Sequence, residues 1–491
     1  MYMSYLSLSF AGLTLILCIL YHALPKKWNL SGILLLLGSL VFYCSFDLKY
    51  LIFLFFTALS TFLCALGIEK HDKHKKKILI LCLCINIGVW FAVKVLPFTV
   101  NLTNVLLTFA GIRYSFRLPA IIQPIGISYF TLQAIGYLVD VYRGKTKPEK
   151  SPWKYLLFIT YFPAIVQGPI SRYNELMPQL LNRKPFSFET MRKGLILILF
   201  GLVKKMVVAD RLGIFVNACF DDYLSFSGAI LYLAAVGYAI QLYMDFSGCV
   251  DICRGVSTLF NVELTNNFNR PYFATSVKDF WSRWHLSLSR WLKDYVYIPL
   301  GGNRKGTWRK YINLLITFLV SGLWHGAGFS FFLWGSLHAL YQIIGEVTAN
   351  FRIAIKQRIG IEAGSLSERI YQTVITFNLV TFAWIFFRAD SLTDGILYLG
   401  QMFSNVNLFA LTGKMFELGV SKNYFFVLLL HLFVFFTVEL CTKNQETAIE
   451  GITKQHLIVR WFIYLVLIFD VLLLGVYGSG YDLSGFMYGG F

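Results

Sequence analysis

The chain has 491 residues, 57% of them hydrophobic and 14% charged, with a formal net charge of +18 and a mean hydropathy of +0.61. A globular domain carries about 25% charged residues, so this composition excludes a water-soluble protein and makes the chain integral to a membrane. The positive charge does not point to nucleic acid, because the cations sit in short loops beside apolar runs, as at Lys75, Lys76 and Lys77, where they mark the cytoplasmic side of a bilayer.

Apolar runs near the roughly 20 residues that cross hydrocarbon recur along the whole chain. They are nearly continuous, as at 78–91, whereas barrel strands would alternate over about 10 positions. The expected fold is therefore an all-α polytopic membrane domain spanning 1–491, with about 12 membrane segments plus re-entrant and interfacial helices. The first run, 5–24, has no basic residue before it and Lys26-Lys27 after it, the reverse of a cleavable signal peptide. It is expected to stay as the first span.

Further spans are expected at 30–46, 50–68, 78–97 and 121–142, with the basic loops between them on the cytoplasmic side. Residues 155–170 are short and contain Pro163, Gly168 and Pro169, which fits a segment that enters and returns. A span at 194–218 carries Lys204 and Lys205 in its middle. Residues 229–250 return inward, and 251–310 form a basic region at the cytoplasmic interface. The stretch 311–346 is too long for one span and has basic flanks, so a helical hairpin is expected. Spans at 370–388, 424–441 and 457–478 complete the chain and put both termini outside.

His325 lies in the middle of that hairpin, in a run (319–335) whose other members are apolar, aromatic or small. An ionisable residue there is costly and marks a functional position. The alternative is a histidine bonded to a neighbouring helix carbonyl. His338 follows thirteen residues later, near the same helical face if the helix were unbroken, but glycines intervene. Upstream, residues 278–295 place Trp281, Trp284, Leu288, Trp291, Leu292 and Tyr295 in one helical stripe with His285 at its edge. Asp279 with Arg283, and Arg290 with Asp294, are i,i+4 pairs worth about 0.3 kcal/mol each. From this pattern alone an interfacial anchor helix with a tryptophan belt is the favoured reading. Asp245 and Asp251 end an apolar run, and pairing with Arg254 or Lys204 would give them a structural role. The nine cysteines lack Cys-x-x-Cys spacing, so neither a disulfide framework nor a metal site is expected.

The motifs Phe280-Trp-Ser-Arg-Trp-His285, Ile298-Pro-Leu-Gly-Gly-Asn303, Tyr243-Met-Asp-Phe-Ser-Gly-Cys-Val-Asp251, Phe162-Pro-Ala-Ile-Val-Gln-Gly-Pro-Ile170 and Leu323-Trp-His-Gly326 resemble the signatures of the bacterial membrane-bound O-acyltransferases. The Ile-Pro-Leu-Gly-Gly-Asn form is similar to the alginate O-acetyltransferase branch more than to the branch that D-alanylates teichoic acid. Residues 120–345 carry most of the resemblance. It implies a central tunnel, a catalytic core over 120–345, His325 as the catalytic residue and His285 as a second functional one. It further suggests Asp245, Asp251, Asn267, Arg283 and Trp324 at the substrate. The chemistry suits a histidine, since an alcohol is a poor nucleophile until a base takes its proton, and a neutral imidazole with an ordinary pKa near 6.5 is such a base.

What the resemblance implies is a multi-pass plasma-membrane enzyme with no bound cofactor. It would take an acyl group from a cytoplasmic thioester, acetyl-CoA or another, toward hydroxyls of a cell-envelope polysaccharide or peptidoglycan. An extracytoplasmic transferase of the SGNH-hydrolase type is the implied partner. The C-terminal part, 457–491, holds the last span and Phe486-Met-Tyr-Gly-Gly-Phe491, which is similar to the terminal motif of envelope acyl-transfer systems, with Tyr488 as the candidate acyl relay. Gly489 and Gly490 stand where that pattern has an aromatic and a polar residue, and an aromatic belt at the outer interface fits Tyr488 as well. D-alanyl transfer from a carrier-protein thioester and a proton-coupled transporter are the alternative functions.

Overall fold

The computed structural model describes residues 3–25, 30–112, 114–119, 121–360, 362, 364–404, 406–412, 416 and 420–477; Lys26-Lys27 and Tyr488 lie outside them. Among the described residues every regular element is helical. Among the described residues, six helices are long and apolar enough to cross a membrane: Tyr50–Lys70, Asp72–Lys94, Gly228–Leu259, Leu366–Arg388, Lys422–Cys441 and Leu457–Leu474. Leu8–Ala23, Leu30–Cys44 and Leu96–Phe109 are apolar and shorter.

The contacts divide the chain into two compact units, one comprising Met1–Ile198 and Cys249–Thr265, the other Leu199–Gly248 and Asn266–Tyr481. The Gly228–Leu259 helix contributes to both. In the first unit Phe162 packs its ring against Phe10, Phe42 and Phe260 with centroids 5.8–6.3 Å apart. Rings offset at such distances add attraction beyond the area they bury.

Several elements differ from expectation for local reasons. The expected span at 78–97 ends earlier, at Lys94, and a separate helix, Leu96–Phe109, follows with Pro97 in its first turn. Proline is tolerated there because the first-turn N–H has no helical acceptor. The span expected from 121 begins only at Ile127. Pro124 precedes it and Gly126 has φ +78°, where an added Cβ would stand 2.6 Å from the Ile165 carbonyl oxygen. Residues 155–170 form a nine-residue helix, Pro152–Thr160, followed by turns. At 1.5 Å per residue that helix rises only about 14 Å, well short of a crossing.

The run expected as one span at 194–218 contains two α-helices, Phe188–Leu202 and Asp210–Asp221, joined by a π-helical stretch, Val203–Ala209, that holds both lysines. A π turn adds a residue to the helical circuit and commonly accompanies a functional or strained position.

The expected hairpin is present as Thr307–His325 and Phe329–Val347, joined at Gly326, Ala327 and Gly328. Its two backbones touch. A Cβ on Gly335 would collide with the Phe318 carbonyl, and one on Gly322 with the Phe331 carbonyl, so only glycine permits this approach.

Candidate active site

The expected continuous helix over 278–295 is broken. Val277–Trp281 is a short helix, His285 takes a left-handed conformation (φ 45°, ψ 53°), and Leu286–Leu292 starts afresh before a π-helical stretch at Lys293–Tyr297. A left-handed non-glycine residue is uncommon and persists where its surroundings fix it. Asn267 does so: its carbonyl accepts from the Leu286 N–H at 3.1 Å, and its Oδ1 accepts from the Ser287 N–H at 2.9 Å. Arg283 donates from Nε to Asp279 Oδ1 at 2.8 Å, securing the segment before the turn. Burial raises the Asp279 carboxyl, but bonds from Arg283, the Thr275 N–H and Ser282 outweigh it and hold the pKa below the usual carboxylate value.

The turn drives His285 into the interior, where it is 1% exposed. Its ring meets Phe246 edge-on at 4.8 Å and Trp324 at 6.0 Å. Neither ring nitrogen meets a hydrogen-bonding protein atom. His325 ends its helix and is equally enclosed, with ring centroids 4.7 Å from Trp324, 5.2 Å from Trp334 and 5.2 Å from Phe387. Trp324 is thus the ring that touches both imidazoles.

His338 joins the same aromatic packing from the second arm of the hairpin. The break at Gly326–Gly328 voids the unbroken-helix geometry, yet the reversed arm brings His338 to within 5.0 Å of the Trp334 ring. Its Nδ1 accepts from the Trp281 indole N–H at 3.2 Å.

Asp245 pairs with Lys205, from the π-helical stretch, which donates to its Oδ1 at 2.5 Å and lies 2.8 Å from Asp210. Asp251 falls in the other unit, 3.9 Å from Arg254. Sequence reasoning missed Asp210 and the role of Lys205; the signal available was a lysine pair inside an apolar run.

A cavity of about 1370 Å³ opens beside this chamber. It follows one face of the Thr307–His325 helix through Lys310, Leu314, Thr317, Phe318 and Ser321, and Trp281 forms part of its wall. Eight lysines and arginines line it, among them Arg290, Lys293, Arg304, Lys305 and Arg352, against one carboxylate, Glu346. A cleft walled by one sign of charge concentrates counter-ions of the other. These cations are scattered over 278–356, so no local motif announced them.

Residues 149–358 match the membrane-bound O-acyltransferase family. The chain is 35% identical over 410 residues to the peptidoglycan O-acetyltransferase of Helicobacter pylori, covering 77% of this chain and 73% of that protein. It is 34% identical over 390 residues to the probable alginate O-acetylase AlgI of Pseudomonas aeruginosa, covering 78% and 72%. A teichoic acid D-alanyltransferase of Bacillus subtilis is more distant, 28% identical over 278 residues, covering 54% and 69%. This chain belongs to the membrane-bound O-acyltransferase family. It is an O-acyltransferase.

Proposed function

We propose that the enzyme moves an acetyl group from cytoplasmic acetyl-CoA toward hydroxyls of an extracytoplasmic cell-envelope polysaccharide or peptidoglycan, from a catalytic core over residues 120–345. The observation that carries this reading is the basic cavity rising along the helix that ends in His325. A nucleotide thioester brings several phosphate charges that such a lining attracts, whereas a carrier protein needs room only for its prosthetic arm. The two acetyl-transferring relatives are also closer to this chain than the D-alanyl one.

In this mechanism His325 acts as general base. Its neutral imidazole takes the proton of the acceptor hydroxyl, the freed oxygen attacks the thioester carbonyl, and a C–O bond forms as the C–S bond breaks. The proton then passes to the departing thiolate. His285, whose ring nitrogens meet no hydrogen-bonding protein atom, assists by orienting the acceptor. Trp324 forms the wall against the acyl group, and exclusion of water by the surrounding rings favours transfer over hydrolysis. Asn267, Arg283 and Asp245, each bonded within the protein, hold the frame, and Asp251 belongs to the framework of the other unit.

Tyr488 is the proposed outer relay, handing the acetyl group to an SGNH-hydrolase-type transferase at a bacterial plasma membrane with both termini outside. The experiment supplies membranes containing the full chain with labelled acetyl-CoA or with a D-alanyl carrier-protein thioester, followed by mass spectrometry of envelope polymers. Acetylation from acetyl-CoA alone is expected, with polymer labelling lost in Tyr488→Phe. Labelling only from the carrier protein would replace this reading with D-alanyl transfer.

A further inference from the structure

Helical serines and threonines ordinarily turn the hydroxyl back to the carbonyl four residues earlier. Around the hairpin Thr317 does so to Asn313 at 2.7 Å, and Ser336 to Phe332 at 2.8 Å. Ser321 does not. Its Oγ meets no hydrogen-bonding protein atom although the residue is fully buried, and a buried polar group left unsatisfied is destabilising. The same residue stands on the cavity wall. Of the wall residues contributed by this helix it is the last before His325, which lies four residues on, about 6 Å further along the axis. The neighbouring Trp281 N–H is already bonded to His338, so it is not free to serve a ligand.

We propose that Ser321 is a further catalytic residue, donating its hydroxyl hydrogen bond to the carbonyl oxygen of the acyl thioester. The inference rests on the assignment of His325 as the base. As the acceptor oxygen forms its bond to the carbonyl carbon, negative charge gathers on the carbonyl oxygen, and the Ser321 O–H stabilises it. The charge returns to re-form the C=O as the C–S bond breaks, while the proton moves from acceptor to His325 to thiolate. Ser321 donates a hydrogen bond throughout and neither gains nor loses a proton. A donor fixed in a water-poor site is worth more here than in water, because it needs no reorganisation when the charge appears. The thioester carbonyl is common to acetyl-CoA and carrier-protein donors, so the assignment survives either answer about the donor.

The test uses bacterial envelope membranes that hold the full chain together with its partner transferase, with acetyl-CoA and envelope polymer, comparing Ser321→Ala, Ser321→Thr and His325→Ala, with CoA affinity measured by calorimetry on the purified chain. Ser321→Ala is expected to lower kcat about a hundredfold with KM for acetyl-CoA and CoA affinity unchanged, and Ser321→Thr, which keeps the hydroxyl, to recover at least tenfold of that loss. Unchanged kcat in Ser321→Ala overturns the inference. So does a loss shared equally by Ser321→Thr, which would assign the position to packing, or a fall in CoA affinity that accounts for the whole effect. If His325→Ala retains full activity, the assignment of the base has failed instead, and the two failures are distinguished within one experiment.

Discussion

The Trp281 indole N–H donates to Nδ1 of His338 at 3.2 Å, with both residues buried. This bond fixes the neutral tautomer of His338 with its proton on Nε2, and it holds Trp281 where the indole is both cavity wall and neighbour of Trp334 at 5.8 Å. Trp334 in turn packs against His325. His338 is therefore joined to His325 through two rings, Trp281 and Trp334.

Replacing His338 by Phe removes the acceptor and leaves a buried indole N–H unsatisfied, which costs about 1–3 kcal/mol. His338→Gln keeps an acceptor oxygen. Thermal unfolding in detergent should fall clearly for Phe and less for Gln, with the donor KM raised in the same order. Equal melting temperatures for the two variants would remove the bond from the account.

The Lys205 ammonium sits between two carboxylates, Asp210 and Asp245. Removing the cation with Lys205→Met strands both, and breaking a buried pair costs about 3–5 kcal/mol. Folded yield in the membrane should drop sharply, and the double variant Lys205→Met with Asp245→Asn should recover part of it. A single Lys205→Met variant as stable as the parent would show the cluster to be dispensable.

The fold of the hairpin was legible because glycines, apolar runs and basic flanks all act locally. The turn at His285 was not, since the aromatic stripe over 278–295 reads as one helix. What breaks it is Asn267, about twenty residues upstream, supplying acceptors to Leu286 and Ser287. The Lys205–Asp245 pair joins positions forty residues apart, and a ladder of spacing within one helix cannot reveal it. Both histidine motifs were visible as unusual residues in apolar surroundings, whereas Ser321 and the cations of the cavity acquire meaning only when the helices assemble around them.

Arg304 and Lys305 line the cavity. Losing a charge-assisted contact to a phosphate, at about 1.4 kcal/mol, is a tenfold loss of affinity. The Arg304→Ala, Lys305→Ala double variant should raise KM for acetyl-CoA about tenfold or more with kcat retained, and its KM should depend less on salt than that of the parent. Steady-state kinetics at two ionic strengths measures both. An unchanged KM would detach the cavity from the donor.

Gly335 packs directly on the Phe318 backbone. Gly335→Ala forces the two arms of the hairpin apart, an overpacking cost of about 1–3 kcal/mol, and shifts Trp334 away from His325. Activity should fall further than stability does, as read by comparing turnover with melting temperature at a temperature where the variant remains folded. A variant with parental turnover would mean the hairpin tolerates the separation.

In the proposed mechanism His325 activates the acceptor hydroxyl. The most direct measurement of this step is acetyl transfer from labelled acetyl-CoA to envelope polymer in bacterial envelope membranes that hold the partner transferase together with the parent or His325→Ala, matched for folded protein and for CoA affinity. The account predicts that His325→Ala binds CoA as the parent does and transfers less than a thousandth as much acetyl per minute, a deficit of about 4 kcal/mol in barrier height. Transfer within tenfold of the parent, at equal CoA affinity, would contradict it.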